Sequence, residues 1–196
     1  MHSRRVACFL LGIWVGAGIL MAWVAMENFR SVDRLLAKPS PAALLSIKTL
    51  GPAGARLLLR YQVSEQNRWL FEAWGTVQLI GGAAFFLFLL FGTREGKYPL
   101  ILVLVMLAVV LLQLFMLTPA MVSLGRLVDF LPPDRPSGER NRFWVLHSAY
   151  VIMEVFKWAV ALLLGARMAR RRGGRLRNAG EDLDVVDKAN HRHVNG

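Results

Sequence analysis

Four long blocks of apolar residues decide what this chain can fold into. They run over residues 6–26, 73–92, 100–117 and 143–165. A helix needs about 20 apolar residues to cross about 30 Å of hydrocarbon, and each block has close to that length. Lipid cannot satisfy open backbone groups, so spans of this kind form helices. We therefore predict an all-α integral membrane protein with a bundle of four transmembrane helices in one domain of residues 1–172.

Composition excludes several other classes of protein. Hydrophobic residues make up 55% of the 196 residues, and they are gathered in the four blocks instead of forming the stripes of a soluble enzyme. A single cysteine excludes an internal disulfide framework and any cysteine-based metal site. Residues 173–196 are polar and mixed in charge, and we expect them to form a disordered cytoplasmic tail.

The segment between the first two blocks carries helix signals of its own. Ser40-Pro41 is typical of a helix start with proline at the first position, and Gly51-Pro52 is typical of a stop. We therefore expect additional helices in this first extracytoplasmic segment. The chain is again predicted to be helical from Ala53, as a surface helix that runs into the second span.

Basic residues near the ends of the blocks set the predicted orientation. Six arginines lie in residues 167–177, and the short link 93–97 holds two further bases. We expect both termini in the cytoplasm, with the first block kept as an anchor and not cleaved as a signal peptide. The chain has 19 Arg and 5 Lys, which is typical of a GC-rich bacterial genome and points to an inner membrane.

The arginines directly behind the fourth block predict a contact with anionic lipid. Their composition alone would also suit nucleic acid, but their position beside a span favours the bilayer surface, so we expect no nucleic-acid partner. This basic cluster consists of Arg167, Arg170, Arg171 and Arg172.

The fourth block carries charge at depth. Glu154 is the twelfth of its 23 residues, near the bilayer midplane, where a charged side chain costs about 2.5–3.5 kcal/mol on insertion scales. Lys157 follows one helical turn later and can form an ion pair with it. His147 and Tyr150 share the same helix face, so we predict an intramembrane polar stripe of four residues.

Two interpretations of this stripe stay open. It could be a proton or ion relay or a ligand pocket, because ionisable groups inside a membrane often mark function. It could instead be a paired charge that fixes helix register, with Gln78 or Gln113 as a further partner.

Polar residues also collect at the outer ends of all four predicted helices. They could line an outward-facing cavity whose floor is Glu154 and Lys157, or they could be an interfacial layer of solvated charges. This outer-face polar cluster comprises Glu27, Asn28, Asn67, Arg68, Glu72, Arg126, Asp129 and Arg142.

Small residues recur at four-residue spacing on the first span, at Cys8, Gly12 and Gly16, and a smooth patch begins at Gly81-Gly82 on the second. Such spacing lets a neighbouring helix approach closely. We expect packing within the bundle here, ahead of a dimer interface.

No metal or cofactor site is expected. A membrane haem usually takes axial histidines, and His147 is the only histidine inside a predicted span. The chain also shows no Gly-rich phosphate loop, nucleophile elbow or HExxH motif.

Six stretches of the sequence carry a resemblance to known proteins: residues 12–16, 27–33, 65–72, 117–119, 125–126 and 142–147. They resemble a family of small bacterial membrane proteins with four predicted helices, those similar to transmembrane protein 205 (domain of unknown function 4149). The resemblance implies the four-helix fold and no particular reaction. This chain departs from the expected pattern on the last helix, where it has Glu154 in place of an amide.

These observations favour a non-enzymatic accessory or scaffolding subunit of the membrane, with a membrane-protein partner or a second copy as its binding partner. The alternative is a small oligomeric proton- or ion-coupled transporter that uses the polar stripe. An enzyme acting on lipids or quinones is a third, weaker hypothesis.

Overall fold

The protein is built from helices throughout the part that the structure describes. The structure is a computed structural model that describes residues 2–92, 96–131 and 137–194, with side chains described as far as Arg170. Its elements are α1 (His2–Ala37), α2 (Pro41–Leu50), α3 (Pro52–Gly92), α4 (Lys97–Leu112), a π-helical turn (Gln113–Leu117), α5 (Thr118–Val128) and α6 (Gly138–Val194). No strand occurs among the described residues, and the prediction of an all-α fold is confirmed.

Four helical segments are long and apolar enough to cross a membrane. They are Ser3–Ala37, Pro52–Gly92, Lys97–Val128 and Gly138–Arg170. Each contains one of the predicted spans, and each is longer than the roughly 20 residues that hydrocarbon requires. The helices therefore extend beyond the lipid core as well as through it.

The local signals between the first two spans also produce the predicted helix. Ser40 caps α2, since its Oγ accepts a hydrogen bond from the backbone N–H of Ala43 at 3.3 Å, and Pro41 opens the helix. Gly51 ends it with φ +73°, a left-handed conformation that glycine adopts without strain. We call the end of the bundle that carries α2 the outer end, and the opposite end the inner end.

The four long helices are arranged as a ring. Helices α1 and α4 each pack against both α3 and α6, so α3 and α6 lie diagonally across the bundle. The α3–α4 pair is antiparallel: a Cβ added to Gly82 would lie 2.7 Å from Leu107 Cδ2, and one added to Gly75 would lie 2.8 Å from Leu114 Cδ1. Close helix contact therefore depends on these two glycines. Gly82 belongs to the predicted smooth patch, whereas Gly75 lies outside it, and a Cβ added to Gly81 would meet nothing within 4 Å.

The expectation for the small residues of α1 is wrong in part. Cys8 packs within the bundle, with its Sγ 3.7 Å from the backbone oxygen of Gly165. A Cβ added to Gly12 or Gly16 would meet nothing within 4 Å, so neither glycine contacts a neighbouring helix. Gly18 is the glycine of α1 that contacts a neighbouring helix, since an added Cβ would lie 2.7 Å from the indole nitrogen of Trp158. The four-residue spacing identified a face of α1 but not the face that its neighbours cover.

A π-helical turn joins α4 to α5 in one continuous helix. The backbone N–H of Thr118 donates to the carbonyl of Gln113, five residues back. Pro119 follows directly and has no N–H to donate, so the regular i to i−4 pattern cannot continue through this point. The extra residue in the turn lets the helix run on to Val128, beyond the predicted end of span three at Leu117.

The buried interior differs in chemistry between the two ends of the bundle. Towards the inner end it is an apolar core of Ala7, Leu11, Phe85, Leu89, Val103, Met106, Val160, Ala161, Leu164 and Met168. From the middle of the spans outwards the buried side chains include six polar or charged ones: Asn67, Gln78, Gln113, Thr118, Glu154 and Lys157. The polar half is therefore where a site would lie.

The backbone of helix α6 is helical through Val194. The division into a domain of residues 1–172 and a disordered tail stays a prediction. Residues 175–194 contain no proline or other strong block to a helix apart from one glycine.

Candidate functional site

The two charges at depth bond to each other and to one amide across the bundle. Lys157 Nζ donates to Glu154 Oε1 at 2.8 Å and to Gln78 Oε1 at 2.6 Å. Gln78 Nε2 donates to the same Glu154 oxygen at 3.2 Å. We call these three residues the deep triad.

The deep triad lies in the centre of the bundle. Gln78 comes from α3 and the two charged residues from α6, and these helices are diagonal to each other. Lys157 has 0% of its surface exposed, Gln78 3% and Glu154 9%. An enclosed ammonium group requires both a counter-charge and hydrogen-bond acceptors, and the triad supplies both.

The described part of the structure therefore does not contain the predicted outward-facing cavity with Glu154 and Lys157 as its floor. A floor open to the outside would leave Lys157 partly exposed, whereas its side chain is completely enclosed. Tyr150 lies one turn further out and is itself buried, with its ring edge-to-face on Phe71 of α3 at a centroid distance of 5.7 Å. These rings cover the deep triad from the outer side.

One oxygen of the triad lacks a hydrogen bond of good geometry. Glu154 Oε2 is buried and has no such bond with any described residue, although the hydroxyl of Tyr150 interacts with this carboxylate. Buried polar atoms are nearly always hydrogen-bonded, so this oxygen is the group in the triad that retains the capacity to accept a proton or a hydrogen bond.

Gln113 is in the same layer but outside the triad. Its Nε2 donates to the backbone oxygen of Tyr150 at 3.2 Å, which ties the π-helical turn to α6. Its Oε1 is buried without a partner among the described residues. Of the two glutamines named as possible partners of the charges, Gln78 is the one that bonds to them.

The predicted stripe on α6 divides into separate environments. His147 is only half-buried and lies among aromatic rings, stacked on Phe143 at 6.0 Å and edge-on to Trp144 at 5.6 Å between ring centres. It is seven residues, or about 10 Å along a helix, from Glu154, and no described hydrogen bond joins the two. The structure therefore brings Glu154 and Lys157 together and leaves His147 apart.

The outer-face polar cluster also divides, and one part is an ion-pair network between α3 and α5. Arg68 pairs with Asp129 and, at 2.7 Å, with Glu65. Arg126 reaches the two oxygens of Glu65 at 3.0 and 3.2 Å. Arg68 and Asp129 are largely enclosed, with 12% and 16% of their side chains exposed. Gly125 makes room for this contact, since an added Cβ would lie 3.1 Å from an Arg68 nitrogen.

A second part of the cluster joins α1 to α3. Asn28 Nδ2 donates to Asn67 Oδ1 at 2.7 Å, and Asn67 Nδ2 donates to the backbone oxygen of Ala25 at 3.0 Å. Glu27, nearby on α1, pairs with Arg34 and lies 3.8 Å from Arg30. The asparagine bonds join the two helices, whereas both pairs of Glu27 lie within α1.

The remaining two members of the outer-face polar cluster belong neither to the ion-pair network nor to the asparagine contacts. Glu72 and Arg142 are exposed. Arg142 lines a shallow cavity of about 290 Å³ together with Leu124, Asn141, Val145 and Leu146.

At the inner end, the predicted lipid-binding arginines are described as far as Arg170. Arg167 lies over the ring of Tyr98 at 5.2 Å in a cation–π contact, and Arg170 is exposed. The side chains of Arg171 and Arg172 lie outside the described residues.

Sequence reasoning missed Glu65 as a member of the outer-face polar cluster and left Gln78 out of the stripe. Gln78 had a signal, because it is one of two polar interruptions in the second span. Glu65 is four residues from Trp69 on a predicted surface helix, and nothing in the sequence marks it as the partner of an arginine 61 residues away.

Among the described residues no group of three or more metal-ligating side chains occurs. No family model, curated protein or solved structure matches the chain. The resemblance to the family of transmembrane protein 205 therefore stays a prediction.

Proposed function

We propose that the chain is a non-enzymatic accessory or scaffolding subunit of a bacterial inner membrane, with both termini in the cytoplasm. The observation that carries the proposal is the deep triad. The charges at membrane depth bond to one another and to an amide inside the bundle, with Lys157 fully enclosed. Side chains used in this way hold helices together and are not presented to a substrate.

The outer polar residues support the same function. Arg68 and Asn67 each bond to a partner on a neighbouring helix, so the polar chemistry of the outer half also fixes helix positions. A rigid bundle of this kind suits a protein whose role is to bind another protein.

The basic residues of the inner end support the proposed orientation. Arg167 and Arg170 are exposed where the fourth span ends, next to the start of α4. Cationic side chains in this position attract anionic lipid on the cytoplasmic side. Membership of the family of transmembrane protein 205 is part of the proposal and rests on the sequence stretches that resemble it.

Affinity purification of the tagged chain from native membranes in mild detergent tests the proposed function. The proposal expects one membrane-associated protein at near-stoichiometric amount, quantified by mass spectrometry against a tagged unrelated four-span protein. A chain recovered alone and monodisperse would contradict it.

A second candidate, a small proton-coupled carrier acting as an oligomer, is favoured by one observation. Glu154 Oε2 is buried without a hydrogen bond of good geometry in the described structure and could bind a proton. Proteoliposomes with an internal pH dye test this function: a carrier would acidify or alkalinise the lumen, and Glu154→Gln would abolish the flux while leaving the reconstituted amount unchanged. Equal signals from both proteins and from empty vesicles would exclude it.

A further inference from the structure

The outer end carries an apolar groove that neither the deep triad nor the outer-face polar cluster uses. The groove has a volume of about 470 Å³ and is formed where the end of α1, the whole of α2 and the start of α3 meet. It is lined by Leu36, Pro39, Leu44, Ile47, Pro52, Ala53 and Arg56. We call it the α2 groove.

Helix α2 is apolar and packs against α3, but most of its surface stays open in the described structure. None of its residues is buried. Leu44 is 41% exposed, Leu45 71% and Leu50 56%. A contiguous apolar surface of this kind marks a binding site when it is not buried in lipid.

The bilayer that the chain spans cannot cover this surface. Helix α3 has 21 residues between Pro52 and the start of its apolar span, which is about 31 Å of helix. Even at a tilt of about 40° the start of α3 would be about 24 Å above the hydrocarbon. On the α1 side, Leu36 follows the end of the first apolar block by ten residues, which is about 15 Å of helix, or about 11 Å at the same tilt. The headgroup layer adds only about 5–8 Å on each side, so the groove lies outside it and is closest to it on the α1 side.

The charge around the α2 groove selects among protein partners. Residues 27–60 contain six basic and two acidic side chains. The two acids are engaged by arginines, Glu27 with Arg34 and Asp33 with Arg56 at 3.6 Å.

Three further cations, Lys38, Lys48 and Arg60, pair with no carboxylate among the described residues. A second copy of the chain docking through this surface would bring two sets of cations together, and like charges in an interface cost several kcal/mol. A partner with carboxylates would instead be attracted.

We propose that the α2 groove binds an acidic amphipathic helix of another protein, whose apolar face enters the groove and whose carboxylates meet the surrounding cations. Helix-in-groove recognition places the apolar face of a helix in an apolar groove, and charge complementarity around the groove selects the partner. Lys38 and Lys48 adjoin the lining residues Pro39 and Ile47 in the sequence, and Arg60 lies one helical turn after Arg56. The inference rests on the proposed accessory function and names the chemistry of the partner.

The test uses the full chain in nanodiscs and two fluorescent amphipathic peptides with identical apolar faces, one with Glu and one with Lys on the polar face. We expect the Glu peptide to bind at least tenfold more tightly than the Lys peptide, and its affinity to fall with rising salt. Equal affinities for the two peptides would overturn the proposal.

Matched variants locate the site. Leu44→Ser removes apolar surface inside the groove, and Lys48→Glu reverses an exposed charge on α2 without touching packing. Each should weaken binding of the Glu peptide at least fivefold. Leu127→Ser, at a leucine of α5 that is 60% exposed, and Arg5→Glu, at the inner end, should leave it unchanged. Binding that is insensitive to both α2 variants would overturn the proposal.

Two other occupants of the α2 groove, lipid and a second copy of the chain, would give different results. Binding of anionic vesicles to the nanodisc-embedded chain that is lost in Lys48→Glu, or a dimer in detergent that Leu44→Ser dissociates, would assign the groove to lipid or to a second copy and overturn the proposal.

If a partner co-purifies from membranes equally with the wild type and with Leu44→Ser, the accessory function stands and the groove is not its docking site. If the Glu peptide binds but no partner co-purifies, the groove assignment stands and the accessory function fails.

Discussion

Removing one charge of the deep triad should destabilise the bundle strongly. The Lys157–Glu154 pair is 2.8 Å apart, which corresponds to an attraction of about 6 kcal/mol at an effective dielectric constant of about 20. Desolvation of both charges offsets much of this gain. Removing one partner, however, leaves the other enclosed and uncompensated, and this costs about 3–5 kcal/mol. We therefore expect Glu154→Leu and Lys157→Met each to lower the free energy of unfolding by about that amount.

The double variant Glu154→Leu/Lys157→Met should recover most of the loss, because no charge remains in the interior. It leaves the amide of Gln78 without its partners, at a cost of about 1–3 kcal/mol, and adding Gln78→Leu should recover this as well. The coupling between the two charges is the quantity that the double-mutant cycle isolates.

Unfolding in mixed micelles of a non-ionic detergent and dodecyl sulfate, followed by tryptophan fluorescence, measures these free energies. Leu163→Ala is the control, since Leu163 lies on the same helix with 68% of its surface exposed. Two results would contradict this prediction. One is a loss of less than about 1 kcal/mol in the free energy of unfolding of each single variant. The other is a loss in the double variant that equals the sum of the losses in the two single variants.

Three further predictions concern contacts between the helices. Gly82→Val should lower the free energy of unfolding by about 1–3 kcal/mol through overpacking, since an added Cβ would lie 2.7 Å from the Trp14 ring; an unchanged value would show that the ring moves freely. Asn67→Ala should cost about 1–3 kcal/mol in the same assay, because the side chain bonds to α1 at two points. Asp129→Ala should raise amide hydrogen exchange in α5, since Arg68 then loses its partner at the C-terminal end of that helix; exchange equal to the wild type would contradict the role of this pair.

The helices follow from the sequence because their signals are local. Apolar length fixes the spans, and Ser40, Pro41 and Gly51 mark the ends of α2 by capping and by backbone conformation alone. The pairing of Glu154 with Lys157 is local too, since the two residues are one turn apart on one helix.

The contacts across the bundle could not be predicted in this way. Gln78 meets Lys157 because α3 and α6 are diagonal in the ring. The residue spacing within a single helix does not determine the order of the helices around a bundle. The small residues of α1 show the same limit: the spacing of Gly12 and Gly16 suggests a packed face, but α3 and α6 pack elsewhere on α1. The π-helical turn at Gln113 likewise depends on one proline acting inside an otherwise regular apolar helix.

The α2 groove was visible in the sequence only as an extra helix. That Leu44 and Leu45 stay exposed depends on where α2 lies against α1 and α3. Its height above the bilayer follows from the length of α3 as one unbroken helix, which the sequence predicts only as a surface helix running into a span.

In the proposed function, the charges at membrane depth hold the bundle together and the protein acts through a partner. Both parts are tested by comparing the amount of partner recovered from membranes with tagged wild type and with tagged Glu154→Leu/Lys157→Met, at equal expression. We predict equal recovery, because the double variant keeps the fold and the outer surface. Loss of the partner from a folded double variant, or proton flux in proteoliposomes that this variant abolishes, would contradict the claim and make the deep triad the functional site.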